Sequence, residues 1–270
     1  MEPLQSPPLP SPFDDGELYD VILGDLDYGR DFYLRLAKQA NGPVLDVACG
    51  TGRIMLPCLR DGVDIEGVDL HEGMLQRLRR KAAALGLAPR LHRADMSDFR
   101  LSRRFALVIV PFNSFMHNLT TDDQIRCLKT CREHLLPGGL LAFDTYFPSP
   151  AIIMAPDGTR VLELETTHPV TGVPVRMYDT RSFNRVEQFQ YSYNEMEYLD
   201  AAGNVTATHA SETRVRWIYK SEMELLLRLS GFSRWEIYGN FERGPLERES
   251  DSMIVLAWTE GPLSSQGNVV

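Results

Sequence analysis

The stretch Pro43 to Ile54, PVLDVACGTGRI, constrains this chain more than any other. Val44, Leu45 and Val47 form a short apolar run that suits a strand buried on both faces. Gly50 and Gly52 permit a turn in which the backbone comes close to a ligand. A helix opens near Arg53, so its first N–H groups face whatever lies over the glycines. Asp46 narrows what that is. A carboxylate ending a buried strand, just ahead of the turn, repels phosphate and suits a cation or an ammonium group. A dinucleotide fingerprint, G-x-G-x-x-G, would need a third glycine where Met55 stands.

Two further acids follow at corresponding places. The run DIEGVDL reads as a second strand ending at Asp69, about 20 residues beyond the glycine turn. An acid there accepts hydrogen bonds from ribose hydroxyls, which suits any nucleoside. HEGML opens the next helix, and Leu70 and Met74 are placed to flank an adenine ring. Leu91 belongs to a short third strand, and Asp95-Met96 follows it. A dinucleotide reading gives no reason for this third acid. FALVIV, Phe105 to Val110, is a fourth strand and LLAFD, Leu140 to Asp144, a fifth. Between them Thr121 to Leu136 has helical spacing, a capping signal at Thr120 to Asp123, and a stop at Pro137-Gly138-Gly139.

With three acids at successive strand ends, the chain resembles the class I S-adenosylmethionine-dependent methyltransferases. PVLDVACGTG matches their motif I, with Ala48 at the usual first glycine. The resemblance implies an α/β, Rossmann-like sheet of seven strands with the last antiparallel. It implies S-adenosylmethionine as cofactor, held by Asp46, Ala48, Gly50, Gly52, Asp69, Leu70, Met74, Asp95, Met96 and Pro111. Tyr19-Asp20 and Asp27-Tyr28 match an N-terminal segment that closes over the cofactor in small-molecule members. Tyr28 would then touch the methionine carboxylate end, and Tyr19 the pocket mouth. The text PFNSFMH after the fourth strand stands where the family faces the methyl acceptor. Sugar N-methyltransferases place a histidine there, so His117 is the candidate base, with Tyr19 second. Asn113 is a turn former placed beside the acceptor.

A composition shift follows. Tyr146 to Trp217 loses helical periodicity and gains alternation, with Phe189, Tyr191 and Tyr193 on one strand face and Gln190, Ser192 and Asn194 on the other. Thr171-Gly172 and Asp200 to Asn204 read as hairpin turns. Residues 148 to 219 are therefore expected to form an inserted antiparallel sheet of three to five strands over the acceptor. Tyr146, Phe147, Arg176, Tyr191, Tyr193 and Trp217 are its candidate acceptor contacts. A helix from Ser221 through Ser230, with Leu225, Leu226 and Leu229 on one face, and strands at Phe232 to Tyr238 and Ser252 to Trp258 complete the core. The remaining expectations are a disordered lead over 1–12, a helical lid over 13–42 broken near Gly24, a cofactor-binding core over 43–147, its completion over 220–260 and a tail over 261–270.

A formal net charge of −9 argues against a nucleic-acid or acidic-membrane partner. The four cysteines show no metal-ligand spacing with histidine, so no metal is expected and a reduced, cytoplasmic setting is. Cys127 and Cys131 lie one turn apart, as packing residues do. The expected activity is in-line transfer of a methyl group to nitrogen or oxygen of a small molecule. The alternatives are carbon methylation of an isoprenoid or aromatic acceptor, a NAD-dependent oxidoreductase, or a non-enzymatic scaffold. A homodimer through the inserted sheet is also expected.

Overall fold

The computed structural model describes residues 9–23, 26–249 and 251–260. The expected lead falls partly, and the expected tail and the break near Gly24 wholly, outside the described residues. Two helices come first, α1 (Gly16–Leu23) and α2 (Arg30–Gln39). The core then alternates: β1 (Val44–Val47), α3 (Met55–Arg60), β2 (Ile65–Asp69), α4 (Glu72–Ala84), β3 (Arg90–Arg93) and β4 (Phe105–Val110). A 3₁₀ turn, Ser114–His117, leads into α5 (Thr121–Glu133) and β5 (Leu135–Tyr146). A short α6 (Pro150–Ile153) precedes β6 (Thr159–Thr167), β7 (Pro174–Asn184), β8 (Phe189–Leu199) and β9 (Val205–Arg216). Then α7 (Lys220–Leu229), β10 (Arg234–Tyr238) and β11 (Ser252–Trp258) close the chain.

The core sheet has the order β10-β11-β5-β4-β1-β2-β3. β1 pairs in parallel with both β2 and β4, so the strand order reverses at β1. Ligands bind at such a reversal, beyond the carboxyl ends of the strands. β11 runs antiparallel to β5 and β10. All residues of β1 and β2 are buried, which is why β1 reads as an apolar run, while β2 buries Glu66 and Asp69 as well. Their side chains feed two apolar layers: Leu45, Val47 and Val68 pack with Phe105 and Phe143, while Val44 and Ile65 pack with Met55 and Tyr33. The second sheet, β6-β7-β8-β9, is antiparallel throughout and lies between β5 and α7 in the chain. No helix among the described residues is long and apolar enough to cross a membrane.

Several boundaries differ from the sequence expectation. α3 begins at Met55, not Arg53, because Gly52 at φ 90° holds Arg53 in the turn and Ile54 caps the helix. Pro137-Gly138-Gly139 does not separate a helix from a strand. It is a bulge within β5, matched by a register shift against β4 between Phe105 and Leu107. α7 is capped at Tyr219 rather than Ser221, and its buried face is Met223, Leu226 and Leu227. Leu225 and Leu229 face outward.

Candidate active site

The sheet's carboxyl edge, α1, the 3₁₀ turn and the inner face of the second sheet enclose a cavity of about 700 Å³. That volume is typical of small-molecule sites, ~300–1,000 Å³. Asp69 and Asp95 line it, with Ala48, Gly50, Leu70, Met74 and Met96. Asp69 ends β2 and accepts hydrogen bonds from the N–H groups of Gly50 (2.8 Å) and His71 (2.8 Å). Burial raises its pKa against those donors. Asp95 accepts from Ser97 N–H at 2.7 Å. Gly50 sits at φ 54° with open space where a side chain would stand. Ala48, at φ 58°, holds the left-handed backbone that glycine adopts more cheaply.

Gly52 has a different role from the one expected. A Cβ there would meet Leu56 and Leu78 at 2.9 Å, so this glycine lets α3 and α4 pack and does not line the cavity.

Asp46 lies deeper, on β1 between Gly67 and Ile109, and does not line the cavity either. It is 1% exposed, and neither carboxylate oxygen has a hydrogen-bond partner among the described residues. Burial pushes its pKa up to about 8; the Arg53 guanidinium opposes the rise and Asp69 adds to it. Arg53 is the residue sequence reasoning missed. One terminal nitrogen donates to the Tyr28 carbonyl at 2.6 Å, and the guanidinium lies 4.8 Å from the centre of the Phe112 ring. Its Nη2 is buried with no partner among the described residues. The one available signal was a cation placed directly after the glycine turn.

A buried carboxylate and a buried guanidinium nitrogen, both without partners here, call for a ligand with charges of the opposite signs. An α-amino acid group carries the two, an ammonium for Asp46 and a carboxylate for Arg53. The residues present therefore fit the methionyl end of S-adenosylmethionine. The ribose and adenine would fall to Asp69, Leu70, Met74 and Asp95.

The N-terminal helices are fastened to this region. Asp20 accepts hydrogen bonds from Thr51 Oγ1 (2.6 Å), Arg77 Nε (2.7 Å) and Lys81 Nζ (3.1 Å), tying α1 to the glycine turn and α4. Tyr19 lines the cavity, and burial pushes its phenol up to about 12. Phe13, the first residue of the expected lid, inserts its ring beside Tyr19 (6.0 Å), His71 (5.5 Å) and His117 (5.2 Å). Tyr28 does not line the cavity; its hydroxyl is 2.8 Å from Ser252 Oγ and its ring packs on Phe112 and Phe241.

The loop after β4 is strained and clasped. Phe112 (φ 64°) and Asn113 (φ 57°) are both left-handed, so their two N–H groups converge. Both donate to the buried Asp144 carboxylate, at 2.8 and 2.9 Å, and the Tyr33 hydroxyl of α2 donates at 2.5 Å. Asn113 Oδ1 is buried without a partner among the described residues, and Pro111 is buried with its carbonyl accepting from Ser114 Oγ at 2.7 Å. Neither lines the cavity. His117 does, at the end of the turn. Burial holds its pKa down to about 4, against a hydrogen bond with the Arg214 backbone; the imidazole is neutral at pH 7.

The second sheet presents the face opposite to the one expected. Gln190, Ser192, Asn194 and Met196 alternate inward on β8, while Tyr191 and Tyr193, each 37% exposed, face out. Arg176 is paired with Glu165 at 2.6 Å and does not reach the cavity. Trp217 is buried with Met116, Ile153 and Phe183; the Tyr146 hydroxyl donates to Gln190 at 3.2 Å, and Phe147 packs on Tyr219. None of these six candidates lines the cavity. Met177, Asn194, Met196, Ser211, Thr213 and Val215 do. The period of two was legible, and the side of β8 that meets the cavity is the polar one.

Comparison with known proteins agrees with this geometry. Residues 44–139 match the family model described as a methyltransferase domain. The chain is 30% identical to the dTDP-3-amino-3,4,6-trideoxy-alpha-D-glucopyranose N,N-dimethyltransferase of Streptomyces venezuelae, over 50% of this chain and 58% of that enzyme's length. It is 25% identical to the cypemycin N-terminal methyltransferase of a Streptomyces species, over 92% of this chain and 97% of that one. Among solved structures, the CcbJ methyltransferase of Streptomyces caelestis is 26% identical with a TM-score of 0.74, covering 93% of this chain and 99% of that one. The motif after β1, the strand order and these likenesses together identify a methyltransferase domain at residues 44–139, in a chain with the fold of the class I S-adenosylmethionine-dependent methyltransferases.

Proposed function

We propose that the chain methylates an amine nitrogen of a small molecule. The observation that carries the cofactor half of this reading is the Asp46 carboxylate and the Arg53 Nη2, both buried without partners among the described residues, together with a cavity lined by Asp69 and Asp95. Relatives named as N-methyltransferases support the acceptor half. Bound S-adenosylmethionine supplies a methyl group already activated on a sulfonium sulfur. The chain's own residues then need only align the acceptor and exclude water. Tyr19, Phe13 and the inner face of the second sheet close the cavity around that point.

The state of His117 separates nitrogen from oxygen. Burial holds the His117 imidazole near pKa 4, which makes it a weak base towards a hydroxyl. A neutral amine brings its own lone pair, so His117 acts by accepting an amine N–H and turning that lone pair inward. His117 thus takes a positioning role in place of the base role expected from sequence, and the pH profile decides between them. His117→Ala is expected to lower kcat/KM about tenfold while leaving the pH profile unchanged in shape, checked by initial rates from pH 6 to 9. A lost inflection would restore the base.

Asp144 fixes the loop that carries Phe112 against Arg53. Asp144→Asn turns an amide towards two converging N–H donors and is expected to weaken S-adenosylhomocysteine binding about tenfold, whereas Tyr33→Phe keeps it within about threefold. Calorimetry on both variants checks this. The overall reading is tested by titrating S-adenosylhomocysteine and NAD, then offering the cofactor with a panel of primary and secondary amines under mass spectrometry. Heat with NAD alone, or methylation only of alcohols, would sink it.

A further inference from the structure

Resting on the amine-transfer reading, we propose that the acceptor carries its amine on an uncharged, hydroxyl-bearing scaffold without a phosphate group. On the wall of the cavity built by the second sheet, the side chains of Asn194, Ser211 and Thr213 are neutral hydrogen-bonding groups; His209 lies at its end, and Glu212 and Arg214 alternate with them on the exposed side of β9. Asn194 and Ser211 are register partners, and Thr213 stands two residues further along β9. Met177 and Met196, also register partners, and Val215 flank them. Apolar patches with a few convergent neutral donors and acceptors suit a ring or chain bearing hydroxyls. Behind this row the Asp179 carboxylate is 5% exposed, and its Oδ1 has no partner among the described residues.

The cations a phosphate would need are committed elsewhere. A nucleoside diphosphate carries about two negative charges, which proteins hold with arginine forks, lysines or open helix N-termini. Among the described residues, Arg214 is the one arginine or lysine at the cavity, and its guanidinium lies over Phe189 and Tyr191, at 5.2 and 5.8 Å, on the sheet's outer face. The sheet's other arginines are neutralised: Arg160 by Glu195 and Glu197, Arg176 by Glu165, Arg181 by Glu163 and Asp179, Arg185 by Asp157, and Arg216 by Glu222. The N-terminus of α5, beside the cavity, is capped by Thr120 and carries Asp122 and Asp123 in its first turn. A net charge of −9 repels a dianion at longer range as well.

The test is binding to the S-adenosylhomocysteine-loaded protein, read by calorimetry. The probes are dTDP, a dTDP-linked amino sugar, and the methyl glycoside of the same amino sugar. The expected result is no heat with dTDP and at least about tenfold tighter binding of the glycoside than of its dTDP-linked form. Asn194→Leu should weaken glycoside binding about tenfold without moving S-adenosylhomocysteine affinity. Preference for the dTDP-linked sugar, or dTDP binding below about 0.1 mM, overturns the proposal. So does a glycoside that fails to bind at about 10 mM. Binding without methylation of any amine would instead overturn the transfer reading and leave this one standing.

Discussion

Asp46→Asn is expected to give a cofactor-free protein that is more stable than the parent and no longer binds S-adenosylhomocysteine. The Asp46 carboxylate is 1% exposed, has no hydrogen-bond partner among the described residues and titrates near pH 8 because it is buried. The unfolded chain ionises the same group near pH 3.9. A folded-state pKa raised above the unfolded value makes a stability contribution that is complete below about pH 4. It is lost progressively as pH rises to about 8. At pH 7 the full shift would cost ~4 kcal/mol, an upper bound, and relaxation brings it to about half. The amide has nearly the same shape and no charge, so it escapes that cost. A gain of ~1–3 kcal/mol is expected, with a melting temperature higher by about 3–8 °C at pH 7.5 and converging on the parent's near pH 4. Scanning calorimetry across that range reads it directly.

The same shift governs the ligand. Binding an ammonium group stabilises the ionised carboxylate, so binding releases a proton where free Asp46 is protonated. Affinity for S-adenosylhomocysteine is expected to climb by up to tenfold per pH unit from about 6 towards 8. An Asp46→Asn protein that melts no higher than the parent, or still binds the ligand within about threefold, would remove Asp46 from the site.

Arg53→Met is expected to weaken S-adenosylhomocysteine binding about 100-fold. The variant removes a charge-assisted hydrogen bond from Nη2 and leaves a ligand carboxylate without a partner, an effect of ~2–4 kcal/mol. Arg53→Lys should recover part of the loss, since an ammonium supplies charge without the guanidinium's planar geometry. Methylthioadenosine separates this from general damage because it keeps the nucleoside and lacks the amino acid. Its affinity should be the same, within about twofold, for parent and variant, since Asp69 and Asp95 remain. Equal losses for both ligands would show that Arg53 only supports the Tyr28 and Leu26 carbonyls it donates to.

How much of this was legible depended on whether an inference rested on the chain's own periodicity or on a choice of surroundings. The strand that holds Asp46 was legible because a strand covered on both faces is mostly apolar, whereas Asp69, at the end of β2, and Asp95, just beyond the exposed β3, were legible from their spacing after the glycine turn. Arg53 was not, because a residue after a glycine turn reads as the start of a helix until the turn's length is known. Tyr191 and Tyr193 were candidate acceptor contacts because they share one face of the inserted sheet, and alternation does not say which face turns inward. Here the inner face of their sheet borders a cavity rather than a packed layer, so polar side chains turn in and the rings turn out.

The Pro10 carbonyl accepts the amide N–H of Glu212, on the otherwise unpaired edge of β9, and Phe13 follows three residues later among Tyr19, His71 and His117. The segment from Pro10 to Phe13 is thus masonry of the chamber. Trimming the gene back to the first helix, a routine step before crystallisation, would leave the nucleoside end of the chamber without a wall. Ligand screens therefore belong on protein that retains these residues, with any affinity tag placed at the other terminus.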